Sequence, residues 1–252
     1  MASRDEILRE LRLAPQWRLR ARPADPAPEA PPPPAEAPAG ARVVPLRPAG
    51  DAAQRLARIA SLDWPELAAD VEACTACGLC RTRKRAVPGV GDPRARWLFV
   101  GEAPGAEEDA RGEPFVGQAG RLLDNMLAAL GLSRREGVYI ANVLKCRPPG
   151  NRAPEPAEAE ACRPYLERQV ALVQPALIVA LGKSAATLLL GSEATIASLR
   201  GRVHRYRGIP LVVTYHPAYL LRNLTDKAKA WEDLLFARRT LVQAQRDAPP
   251  AG

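Results

Sequence analysis

No run of apolar residues in this 252-residue chain approaches the roughly 18 that a membrane-spanning helix requires. The amino-terminal stretch has no apolar signal-peptide core, and the cysteines number five, an odd count that argues against a secreted disulfide scaffold. The expectation is a soluble, cytoplasmic protein. Histidine is scarce: there are two, and neither lies near a cysteine. No internal repeat is evident.

What the chain does have is an uneven set of thiols. Cys74 and Cys77 form a C-x2-C pair, and Cys146 and Cys162 follow, 16 positions apart. Four thiolates are what one [4Fe-4S] cluster needs, and they also satisfy a tetrahedral zinc. A zinc ribbon usually repeats a tight pair, so the wide second pair and the lack of nearby histidine favour iron–sulfur. Spacing alone leaves both metals open.

The formal net charge is +8, with basic clusters at Arg81, Arg83, Lys84 and Arg85 and again at Arg200, Arg202, Arg205 and Arg207. Such patches suit a phosphate backbone, because cation contacts release condensed counterions. A solvated, arginine-rich surface gives the same composition, so charge alone does not choose.

The chain divides by composition. Residues 1–20 open on Ser3-Arg4-Asp5-Glu6, a capping-box pattern, with Ile7, Leu8 and Leu11 at helical spacing. They predict a short amphipathic helix, a candidate docking peptide. Residues 21–50 are rich in Pro and Ala and predict a semi-extended linker. Residues 51–245 predict one folded domain, and 246–252 a tail. Helical spacing of Leu56, Ile59, Leu67 and Val71 leads into Cys74. Four short β-type segments follow at 97–101, 138–144, 177–182 and 211–215, with helical stretches at 119–130, 156–173, 183–189 and 227–242. Alternating units of this kind imply a parallel sheet with helices on both sides.

In such a sheet the ligand site lies beyond the carboxyl ends of the strands. After the first strand comes Gly101-Glu102-Ala103-Pro104-Gly105, followed by Glu107, Glu108 and Asp109; Asn142 sits near the end of the second, and His216 follows the fourth. A carboxylate, an amide and an imidazole at one sheet edge form a set, although each alone has an ordinary structural use. The glycines around Glu102 do not make a phosphate cradle, because no Lys-Ser/Thr follows them.

Three segments carry a resemblance: GEAPGAEEDARGEPFVGQAG at 101–120, YIANVLKCRPPGNRAPEP at 139–156 and HPAYLLRN at 216–223. They resemble the signatures of the family 4 uracil-DNA glycosylases, the iron–sulfur branch of that superfamily, and the likeness runs from Ala73 to Leu241. It implies an α/β three-layer sandwich with a central four-stranded, mainly parallel sheet flanked by helices. It also implies a [4Fe-4S] cluster on Cys74, Cys77, Cys146 and Cys162, with Cys80 left over as a non-ligand. The implied substrate is uracil-containing DNA, single- or double-stranded, at the nucleoid. A monomer is the default expectation, since base excision needs one site, and the helix over 1–20 is a candidate contact for a repair or replication partner.

The resemblance carries roles to residues. Phe115 stacks on a flipped-out uracil, Asn142 reads its edge, and Gly101 and Ala103 line the base pocket. His216 hydrogen-bonds the uracil O2 as negative charge builds there. Glu108, ranked slightly ahead of Glu102, orients water, and Asn151 is a further candidate for that task. Leu220 and Leu221 supply the wedge that fills the gap left by the base. Arg222, Arg81, Arg83 and Lys84 are candidates for DNA backbone contacts. Ala218 stands where Ser is frequent in the family, which predicts modestly weaker DNA binding. A related branch cross-links to DNA through a histidine on an inserted basic loop; the segment after Asn142 has neither, so turnover is expected. A non-catalytic uracil-DNA-binding protein is the alternative of a different class.

Overall fold

The structure, a computed structural model, describes residues 49–246. The expected helix over 1–20, and nearly all of the expected linker and tail, lie outside the described residues. Among those described, no helix is long and apolar enough to cross a membrane.

Helices α1 (Ala49–Ser61) and α2 (Trp64–Ala73) come first. The Asp63 carboxylate accepts the Glu66 N–H and the Glu66 carboxylate accepts the Asp63 N–H, a capping box that fixes where α2 starts. Ile59, Leu67 and Val71 turn inward and pack around Cys146, Cys162 and Tyr165. A single 3-10 turn, Gly78–Arg81, then carries the chain past the cysteines.

The sheet contains β1 (Val90–Gly91), β2 (Trp97–Gly101), β3 (Val138–Asn142), β4 (Leu177–Leu181), β5 (His204–Tyr206) and β6 (Ile209–Thr214) in the order β1-β3-β2-β4-β6-β5. The four central strands are parallel, and β1 and β5 are antiparallel edges. Every residue of β2, β3 and β4 is buried, which is why these segments read as unbroken apolar runs. The sheet therefore has six strands rather than the four expected. The two extra edges are two and three residues long and partly exposed, so they leave no apolar run to be read.

The remaining helices are α3 (Ala106–Arg111), α4 (Gln118–Ala129), α5 (Pro156–Val173), α6 (Lys183–Leu190), α7 (Ile196–Leu199), α8 (Pro217–Leu220) and α9 (Asp226–Arg246). Alternate strand residues face opposite layers. Leu98, Val100, Ile178 and Val213 pack against Leu166 and Val170 of α5 and Leu189 of α6. Trp97, Phe99, Val179 and Val212 pack against Leu123 and Leu127 of α4 and Leu234 and Ala237 of α9. The result is the expected three-layer α/β sandwich, with the carboxyl ends of the parallel strands opening on one side.

Candidate active site and cysteine pocket

That side holds a cavity of about 720 Å³, within the range of small-molecule sites. Glu102, Ala103, Phe115, Asn142, Asn151, His216, Leu221 and Arg222 line it together. Sequence positions more than a hundred residues apart thus meet at one place.

Asn142 is the last residue of β3 and is 2% exposed. Its side-chain Oδ1 is buried and has no hydrogen-bond partner among the described residues. A buried acceptor left unpaired is costly, and one aimed into a cavity asks for a donor from a ligand. Gly101 is what permits the approach: a Cβ there would lie 2.3 Å from Asn142 Oδ1 and 2.7 Å from Phe115 Cζ. Phe115 is buried and sits in the left-handed backbone region, with φ of 54°. Its ring centroid is 5.5 Å from that of His216, tilted by 31°.

His216 is the N-cap of α8, and its Nδ1 accepts the Ala218 backbone N–H at 3.1 Å. An accepting Nδ1 carries no proton, so the neutral ring presents Nε2–H as a donor. Burial, and then the charge of Arg222, push the His216 pKa down to about 4, with Glu108 opposing.

The two acids differ. Glu108 Oε1 accepts the N–H groups of Val116 at 3.0 Å and Gly117 at 3.2 Å, and Oε2 accepts that of Gly105 at 3.1 Å. Glu108 is thereby committed to holding the loop that carries Phe115. The Glu102 carboxylate lines the cavity and has no partner among the described residues. The acid that sequence ranked first for water is thus the one engaged by backbone, and the one ranked second faces the cavity. Asn151, at the rim, has a positive φ of 56° and accepts Arg147 Nε at 2.7 Å.

Of the two leucines expected to form a wedge, Leu220 is 1% exposed and packs with Tyr215 and Ala230, whereas Leu221 is 37% exposed at the cavity mouth. Arg222 is exposed beside it, and Arg81 and Lys84 are exposed on the 3-10 turn and the loop after it. Arg83 departs from expectation. Its guanidinium donates to Cys146 Sγ at 3.0 Å, to Cys74 O at 3.0 Å and to Glu72 O, so it is spent inside the cysteine pocket.

Cys74, Cys77, Cys80, Cys146 and Cys162 all line one small cavity between α2, the 3-10 turn and α5. Among the described residues, no three His, Cys, Asp or Glu side chains form a group that could hold a single metal ion. The donor set nonetheless has the chemistry of cluster ligands, because backbone and side-chain N–H groups reach the sulfurs. Ala76 N–H donates to Cys74 Sγ at 3.5 Å, Lys145 N–H to Cys162 Sγ at 3.2 Å, and Arg83 to Cys146 Sγ. Burial raises Cys77, and the Leu79 backbone N–H opposes that rise. Burial also lifts Cys146 to about 11 and Cys162 to about 12, opposed by Arg83 and Lys145 respectively. Cys80 Sγ has no such donor among the described residues.

Sequence reasoning missed Lys145, which is fully buried and donates from Nζ to Asn142 O and to Gln169 Oε1, both at 2.6 Å. It joins the cysteine pocket to the backbone of Asn142 at the end of β3. Its position directly before Cys146 was a signal, but nothing local announces a buried lysine.

Residues 88–235 match the family model of the uracil DNA glycosylase superfamily. A type-4 uracil-DNA glycosylase from Archaeoglobus fulgidus is 46% identical over 169 residues, covering 64% of this chain and 83% of that protein. One from Thermotoga maritima is 45% identical over 161 residues, covering 63% and 83%. Another, from Sulfurisphaera tokodaii, is 40% identical over 185 residues, covering 70% and 84%. With its fold, its sheet-edge cavity and these likenesses, the chain belongs to the uracil-DNA glycosylase superfamily and, within it, to the type-4 uracil-DNA glycosylases.

Proposed function

We propose that this protein hydrolyses the N-glycosidic bond of uracil in DNA, leaving free uracil and an abasic site, and so repairs deaminated cytosine. The observation that carries the reading is the unpaired, buried Asn142 Oδ1 facing a cavity shared with Phe115 and His216. Uracil offers an N3–H donor to that oxygen and a carbonyl acceptor to the Asn142 amide N–H; cytosine at neutral pH has no ring N–H there. The base must leave the stack to reach this depth. Phe115 then stacks on its face.

As the N1–C1′ bond breaks, negative charge spreads onto the uracil O2 and positive charge onto the sugar. The His216 Nε2–H donates to O2 and needs no proton transfer to do so, an oxyanion-type role. Glu102, whose carboxylate has no partner among the described residues, orients the attacking water and accepts its proton. Glu108 holds the loop, and Leu221 fills the vacated stack while Arg222, Arg81 and Lys84 meet phosphates. Cys74, Cys77, Cys146 and Cys162 would hold a [4Fe-4S] cluster, whose part is to tie the segment before β1 to the loop after β3. The enzyme acts as a monomer.

The test is a labelled oligonucleotide with one uracil, incubated with the protein and with His216→Ala, then treated with alkali. Scission at the uracil, lost in the variant, supports the reading. An intact but retarded or covalently trapped strand would replace it with the binding or cross-linking alternative.

A further inference from the structure

We propose that Arg134, at the turn before β3, is a positioning residue of the base pocket. It holds the Phe115 backbone in the left-handed conformation that turns the ring toward the cavity. The proposal rests on Phe115 being the base platform.

A bulky side chain in the left-handed region is disfavoured and persists only where surrounding groups over-determine it. Nothing in the local sequence does so. The groups that do come from afar. Arg134 Nη2 donates to Phe115 O at 2.6 Å and Nη1 to Pro114 O at 2.8 Å, so one planar fork grips two successive carbonyls. Its own aim is fixed by Asp124 of α4, which accepts from Nε at 2.9 Å, and by Glu113, which accepts from Nη1 at 3.1 Å. From the other side, Glu108 takes the N–H groups of Val116 and Gly117. The peptide groups on both sides of Phe115 are thus held, the carbonyls by a cation and the amides by an anion. Gly120 leaves room for the arrangement, since a Cβ there would lie 1.7 Å from Phe115 O.

An ion-pair role alone does not account for this geometry. Asp124 and Glu113 side chains are 45% and 44% exposed, and pairs with such partners contribute little. The two carbonyl bonds are the informative ones. They lie in a loop where no helix or sheet ladder uses those oxygens, and they end at Phe115, whose ring lines the cavity.

The experiment compares Arg134→Met, Arg134→Lys, Asp124→Asn, Phe115→Ala and the double variant Arg134→Met/Phe115→Ala. Single-turnover release of uracil, inhibition by free uracil and melting temperature are measured for each. Base–aromatic stacking predicts that Arg134→Met weakens both uracil inhibition and release about 10-fold. Arg134→Lys is expected to fall between, and Asp124→Asn to stay within about 2-fold of the parent. The double variant should be no worse than Phe115→Ala alone, because a residue acting through Phe115 has nothing left to position.

Additive losses in the double variant, or undiminished uracil inhibition in Arg134→Met, would overturn the proposal. If Arg134→Met does not fold, the remaining pair decides: Asp124→Asn as damaging as Arg134→Lys would show that the ion pair, not the carbonyl grip, matters. A Phe115→Ala variant with unchanged uracil inhibition would instead bring down the platform reading itself, and with it this one.

Discussion

The Ala218 backbone N–H donates to His216 Nδ1 at 3.1 Å, and that bond places the ring proton on Nε2, facing the cavity. Because burial and Arg222 hold the His216 pKa down to about 4, the ring is neutral well below the ordinary histidine range. The free enzyme's kcat/KM should therefore stay level from about pH 8 to about pH 5.5 and decline only as pH nears 4. Stability follows the same sign. The unfolded chain takes up this proton near pH 6.5 and the folded one resists until about pH 4, so the contribution is complete above 6.5 and lost as pH falls through that window. A kcat/KM midpoint close to 6.5 would mean that an ordinary imidazole, or an imidazolium, serves the reaction.

Glu102→Gln and Glu108→Gln should fail in different ways. Removing the cavity-lining carboxylate of Glu102 should slow single-turnover cleavage about 100-fold or more while leaving melting temperature and DNA affinity near the parent. Glu108→Gln keeps an acceptor but loses the charge that three backbone N–H groups share, at about 2 kcal/mol of stability. Differential scanning calorimetry beside a cleavage assay separates the two. Equal melting temperatures in both variants would undo the division of labour.

The contrast between these acids marks how far the sequence could be read. Strands β2, β3, β4 and β6 were legible because burial on both faces forces apolar runs, and the cavity followed from what ends each strand. Edges β1 and β5 were not, being too short to carry a pattern. Glu102 and Glu108 look alike in a string of letters; only the fold brings Val116 and Gly117 N–H onto one of them. Arg83 reads as a surface cation in a basic run, and its engagement with Cys146, 63 residues away, is invisible until the chain is folded. The same holds for Leu220 and Leu221, neighbours that a four-residue helix turns to opposite environments.

Gly101→Ala adds one methyl where Asn142 Oδ1 and Phe115 meet. The strand around it is fully buried and cannot shift, so the amide or the ring must give way. The variant should fold with a modest loss, about 1–3 kcal/mol, and lose about 100-fold in uracil release. Near-parental activity would show that the close approach of the two side chains is not what shapes the base pocket.

Cys74→Ser, Cys77→Ser, Cys146→Ser and Cys162→Ser should each lower bound iron and sulfide and the absorbance of the purified protein, with melting falling by about 5 °C or more. Cys80→Ser should keep all three at parental values, because Cys80 Sγ has, among the described residues, none of the N–H donors that reach the other sulfurs. Zinc instead of iron in the parental protein, by elemental analysis, would reject the cluster and keep the pocket. Iron loss in Cys80→Ser would reject the four-ligand assignment.

Leu221 is the exposed member of the proposed wedge pair, so its deletion should matter only where a base must be prised from a duplex. In duplex DNA, flipping leaves a gap whose lost stacking costs a few kcal/mol, and an apolar side chain offsets part of it. In a single strand there is little stacking to replace. Leu221→Ala should therefore lower kcat/KM on duplex substrate about 10-fold and change it little on the same uracil in a single strand. Leu220→Ala, emptying a buried site between Tyr215 and Ala230, should cost about 2–5 kcal/mol of stability. Below its melting temperature it should leave the duplex-to-single-strand ratio unaltered. The ratio is the measurement, since it cancels general loss of active protein. If Leu221→Ala leaves it unchanged, the wedge lies elsewhere on the cavity rim.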